Sequence, residues 1–176
     1  MHEQEKIGEA EFFYHQMSAE ITARKPFKYN LSAFLSAARS VLQYARKEAS
    51  SKQGGHRWYD THISSSSILN FFKSKRDVNI HRRPIDPSMA VDIAIEDAVG
   101  LSDSIDVFLQ KENGDILEQE SSQPSMPDKS PSVSVSYQYF FSDWVGPEDV
   151  LTLSKMYLSE LRSLINDGNT KGFLTS

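Results

Sequence analysis

Cysteine is absent from the 176 residues, which excludes disulfide scaffolds, thiolate metal sites and cysteine nucleophiles. No apolar run approaches the ~18–20 residues needed to cross a bilayer. The first residues, Met1 to Gly8, are polar and unlike a signal peptide. The expectation is a cytoplasmic chain with no membrane partner. No glycine pattern of a phosphate loop surrounds Ser64 to Ser67, which read as a helix start. No Ser-His-Asp arrangement is recognisable, and no cofactor is expected. His56 and His62 lie six apart in a predicted loop with no acidic cluster beside them, so no metal site is expected either.

What is present suffices for a folded domain. Hydrophobic residues make up 39% and aromatics 11%, enough to bury a core, which argues against a wholly disordered chain. The net charge of −5 is unevenly spread: residues 1–51 carry +1, residues 52–83 carry +5 and residues 84–176 carry −11. An acidic protein with one basic segment is no general nucleic-acid coat, yet it can bind a polyanion where the local potential is positive.

Hydrophobic period divides the chain. Ile7, Ala10, Tyr14, Met17 and Ile21 recur at steps of three and four, which predicts a helix over 3–24 stopped by Pro26. A second helix over 30–50 starts at Asn30 as its cap, and its small residues (Ala33, Ser36, Ala37, Ala38) let another helix approach closely. Trp58 and Tyr59 anchor the segment after the polar 50–55 connection. A third helix over 65–81 contributes Ile68, Leu69, Phe71 and Phe72 and ends before Pro84.

The period then becomes two. Met89, Val91, Ile93 and Ile95 alternate with polar or small residues, as in a half-buried strand, and Ile105, Val107 and Leu109 repeat the pattern. Asn113-Gly114 offers a tight hairpin turn, residues 121–131 form a Ser/Pro-rich loop, and Val133, Val135, Tyr137 and Tyr139 predict a fourth strand. Asp92, Glu96, Asp97, Asp103 and Asp106 read as a solvated strand face. Pro147 opens a last helix over 147–167, ended by Gly168. The expected fold is α+β: a mainly helical single domain of about four helices, with an antiparallel β-rich insertion over 88–142.

The informative segment is Lys73 to Arg83, which holds five Lys/Arg against one Asp. On a helix, Asp77 and His81 stand at i and i+4, where a carboxylate can fix an imidazole tautomer and leave the other nitrogen for acid–base work. Arg76 and Asn79 form a second polar pair, and Arg76 can clamp a phosphate in two-point fashion. These parts suit metal-free RNA cleavage, in which the 2′-hydroxyl is the internal nucleophile. Taken singly, His81 also reads as a helix-end histidine, and Arg82 and Arg83 as a solvated last turn favoured by the helix dipole. Arg39 reads as a helix-edge arginine, or as a supplementary phosphate contact where its helix flanks the motif.

The helical order and the string Arg76-Asp77-Val78-Asn79-Ile80-His81 resemble the HEPN superfamily (higher eukaryotes and prokaryotes nucleotide-binding domain). The hallmark of that superfamily is an Arg followed by a polar residue and, four to six residues after the Arg, a His near a helix end. The resemblance covers residues 3–84 and extends to the final helix. It implies a dimeric, metal-independent ribonuclease of the kind found in toxin–antitoxin, defence or RNA-processing systems. His81 would then be general acid/base, Asp77 and Asn79 orienting groups, Arg76 the stabiliser of charge on phosphorus, and Lys73, Lys75, Arg82 and Arg83 the steering residues for RNA. The alternative is a catalytically inactive HEPN-like dimerisation or protein-interaction module, with the acidic β-rich segment as the surface for a partner or antitoxin.

Overall fold

The computed structural model describes residues 2–81, 85–96, 106–110, 116–121 and 132–175; side chains at 77–81, 95–96, 106–110, 116–121 and 132–133 fall outside the description. The fold is α+β and mainly helical. Its elements are α1 (His2–Ala19), α2 (Arg24–Ser50), α3 (Gly55–Ser65), α4 (Ser67–His81), β1 (Ser88–Glu96), β2 (Asp106–Gln110), β3 (Ile116–Ser121), β4 (Ser132–Phe140) and α5 (Val150–Thr170). The chain divides into two compact units, residues 1–91 with 137–176 and residues 92–136.

The helical unit packs around α2. Phe34, Ala38, Val41, Leu42, Ala45 and Ala49 are fully buried along its length, and the alanines let neighbouring helices come close. Phe72 of α4 stacks on Tyr157 of α5 at 4.4 Å, and Phe34 meets both rings edge-on at 6.2 Å. Tyr139, near the end of β4, stacks on Phe27 at 3.8 Å and is buried. Ion pairs that join Arg24 and Lys28 to Asp86, and Arg162 to Glu11, lie on the surface, where such pairs contribute little.

Several expected boundaries move, each for a local reason. The first helix ends at Ala19, and Pro26 does not stop it: Pro26 lies in the first turn of α2, where its missing N–H has no helical acceptor to lose. The first full helical bond of α2 runs from Phe27 N–H to Ala23 C=O at 3.0 Å, so Asn30 lies inside the helix and caps nothing. Residues 55–65, read as part of a loop, form α3. Gly54 takes φ 81° as its N-cap, and a Cβ on Gly55 would stand 2.0 Å from the Ala49 carbonyl oxygen, so the turn from α2 into α3 needs both glycines. Ser66 caps α4 by accepting the Leu69 N–H at 3.2 Å.

The last helix is shifted three residues along the chain. Asp149, not Pro147, is its N-cap and accepts the Thr152 N–H at 2.8 Å. Gly168 is buried inside its final turn, and Gly172 ends it with φ 74°. Phe173 N–H reaches Gly168 C=O at 2.8 Å and Gly172 N–H reaches Asn169 C=O at 3.1 Å, the paired bonds of a Schellman motif.

β1 pairs with β4, and Ser88 Oγ donates to the Phe140 carbonyl at 3.3 Å. Expected to be half-buried, β1 is more open: Met89 and Val91 are 41% and 42% exposed. In the smaller unit β2 pairs antiparallel with β3, Val107 opposite Glu120 and Leu109 opposite Glu118. The expected Asn113-Gly114 turn, the 122–131 loop, Asp97 and Asp103 lie outside the described residues. Asp92 is exposed.

Candidate nucleic-acid interface

The helix α4 is amphipathic with a basic end. Leu69 and Phe72 point into the core, Asn70 and Ser74 are exposed on the other side, and Lys73 is half-buried at the edge between them. Lys73 lines a cavity of about 200 Å³ between α2, α3 and α4, together with Arg39, Arg46, Tyr59, Asp60 and Asn70. Arg39 and Arg46 stand two turns apart on one face of α2. Asn70 is oriented by donating to the carbonyls of Ile63 at 3.0 Å and Ser66 at 3.2 Å.

Charge in this cavity is unbalanced. Among the described residues no ion pair joins a carboxylate to Arg39, Arg46 or Lys73. Asp60, the carboxylate in the lining, is held by His56 through Nδ1 to Oδ2 at 2.8 Å. The Arg39 guanidinium hydrogen-bonds Tyr59, while its Nε is out of solvent with no hydrogen-bond partner among the described residues. Burial pushes the Tyr59 hydroxyl up from its usual range, and the neighbouring Arg39 guanidinium opposes the shift. Tyr157, fully buried behind it, is raised further by the same desolvation.

The other predicted site residues separate. Arg76 follows Lys73 by one turn of α4 and is half-buried. Lys75 lies under bulk: its ammonium pairs with Asp143 and stands over the Phe71 and Phe141 rings at 5.1 and 4.9 Å. Positions 77, 79 and 81 complete α4, but the side chains of Asp77, Asn79 and His81, and all of Arg82 and Arg83, lie outside the described residues. α4 is continuous from Arg76 to His81, so these positions are about 140° apart around its axis and about 7.5 Å apart along it.

A second cavity, of about 390 Å³, lies across α3 and is lined by Arg57, Trp58, Thr61, His62, Asp167 and Lys171 among others. Here the carboxylate is fully engaged, while Arg57 in the lining makes no ion pair among the described residues. Trp58 Nε1 donates to Asp167 Oδ2 at 2.6 Å, Lys171 pairs with the same carboxylate at 2.9 Å, and His62 Nδ1 approaches to 3.8 Å. The Trp58 hydrogen bond, then that of Lys171, holds the Asp167 carboxyl below its usual range. His56 and His62, expected in a loop, thus belong to a helix, and each faces a different carboxylate. Among the described residues no three His, Asp or Glu side chains gather as a metal site, and no helix is long and apolar enough to cross a membrane.

Sequence reasoning singled out Arg39 and Lys73 but missed Arg46, Tyr59 and Asn70. The seven-residue spacing of Arg39 and Arg46 was the available signal; what faced them was not. Comparison of the chain with family models, characterised proteins and solved structures finds no match.

Proposed function

We propose that this chain is a HEPN-like RNA-binding protein with a metal-independent ribonuclease site at the end of α4, acting as a homodimer. The observation that carries the reading is the run of α4: the Arg76–His81 string closes a continuous helix one turn beyond Lys73, which borders a cavity rich in uncompensated cations. In this reading a base takes the proton of the RNA 2′-hydroxyl, whose oxygen attacks the adjacent phosphorus. The bond to the 5′-oxygen breaks, and an acid returns a proton to it, leaving a 2′,3′-cyclic phosphate. His81 serves as acid/base, Asp77 and Asn79 orient it or the substrate, and Arg76 stabilises charge on the phosphoryl oxygens.

The angular separation of positions 76 and 81 favours a shared site. A two-fold axis beside α4 sets His81 of one subunit toward Arg76 of the other. Cleavage is expected to persist in excess EDTA and to leave a cyclic phosphate or the 3′-phosphate derived from it. His81→Ala is expected to lower the rate by about 10²–10⁴ while changing stability by about 0.5 kcal/mol or less. Mixing Arg76→Ala with His81→Ala protein under verified subunit exchange should restore part of the activity, because one site of the mixed dimer keeps both groups. Loss of activity with EDTA, or a purified protein that cleaves no RNA, overturns the ribonuclease reading. The alternative, an inactive interaction module of the same fold, draws support from Lys75, whose ammonium is engaged in packing, and from the exposed Met89 and Val91.

A further inference from the structure

We propose that the cavity between α2, α3 and α4 is a phosphate-binding subsite, with Arg39, Arg46 and Lys73 as its ligands and Asp60 as a built-in brake. The inference rests on the RNA reading only for the source of the phosphate; the chemistry of recognition is independent of cleavage. Three cations from two helices border one small cavity, and none of them forms an ion pair with a carboxylate among the described residues. Left alone they repel one another, and a polyvalent anion relieves all three at once. Two guanidinium forks and an ammonium match the several oxygens of a phosphate better than the two of a carboxylate. Arg39 is also backed by buried tyrosines, a low-dielectric wall that strengthens its hold on an anion.

Asp60 faces the same cavity and lowers its potential. Its contact with His56 partly offsets that charge. A phosphate seated here lies one helical turn from Arg76, so along an RNA strand it would be a phosphate next to the one held at the motif.

The test is fluorescence polarisation of a single-stranded 2′-O-methyl RNA of about twelve nucleotides, which cannot be cleaved, with calorimetry of inorganic phosphate as a second arm. Arg46→Gln/Lys73→Gln, at accessible positions, is expected to weaken binding about ten-fold or more. The slope of log K against log salt should fall by about 1.4, two contacts at about 0.7 each on a single strand. Asp60→Asn is expected to tighten binding by about two- to five-fold, a gain that misfolding does not produce. Loss in the RNA arm assigns the subsite to a chain phosphate, and loss in the inorganic arm alone assigns it to a free anion. Unchanged affinity in both arms, or equal binding of a polyglutamate of matching length, overturns the proposal. Because the 2′-O-methyl RNA cannot be cleaved, its binding is read independently of cleavage of the unmodified RNA, so absent cleavage and an absent subsite read separately.

Discussion

The two cavities that flank α3 contain similar residue types and differ in how their charges are balanced. On one side Asp167 accepts from Trp58 and pairs with Lys171, with His62 nearby. On the other, Arg39, Arg46 and Lys73 share a lining with one carboxylate that His56 already engages. The first arrangement ties α3 to the end of α5 and answers its carboxylate within the chain, leaving Arg57 as its one cation without an ion pair among the described residues. The second is electrostatically open. A folded protein keeps such a cluster at some cost to stability, and the cost makes sense where a ligand completes it.

That contrast can be broken most forcefully at Trp58. It stacks on Phe173 at 5.2 Å and joins α3 to Asp167, so Trp58→Ala is expected to cost about 2–4 kcal/mol in denaturant unfolding. The RNA affinity of the folded fraction should stay at the wild-type value. A comparable loss of RNA affinity would show that the two sides of α3 act as one site.

A smaller effect is expected at Asp167. Asp167→Asn should cost about 1 kcal/mol at neutral pH through its hydrogen bonds. Because the folded-state carboxyl titrates below its ordinary value of 3.8, its stabilisation is complete above that value. It is lost as pH falls through the lower folded-state value. Thermal melts from pH 6 down to pH 2 should therefore fall less steeply for Asp167→Asn than for wild type; parallel curves would show that Asp167 contributes no pH-dependent stability.

The smallest stability change is expected at the open cluster. Arg46→Gln/Lys73→Gln should leave stability within about 0.5 kcal/mol of wild type, or raise it slightly, because repulsion is relieved and no ion pair is broken. A clear loss would mean that these cations support the fold, and the contrast between the cavities would disappear.

Much of the helical frame was legible in the chain. The stripes Ile7–Met17, Leu31–Ala45 and Val150–Leu164 follow a 3.6 period, and each supplies buried core residues. The boundaries were less legible, because caps depend on backbone geometry that residue type only suggests. Pro26 is tolerated in a first turn as readily as it ends a helix. Gly168 and Gly172 both suit a helix end, and only Gly172 adopts the left-handed conformation. α3 was missed because its apolar residues, Tyr59 and Ile63, are few and its faces serve two different neighbours.

By itself, then, the sequence determined the mainly helical α+β class, the alternation that makes strands of 88–96 and 132–140, and the basic end of α4. Those properties are local, set by periodicity and charge within a few turns. Tertiary structure alone decided which charges are answered. Trp58 meets Asp167 across 109 residues of chain, while Arg39 and Arg46 face Lys73 across a cavity with one shared carboxylate. Electrostatic balance depends on distances of a few ångströms through space, and chain order fixes such distances only after the helices have packed.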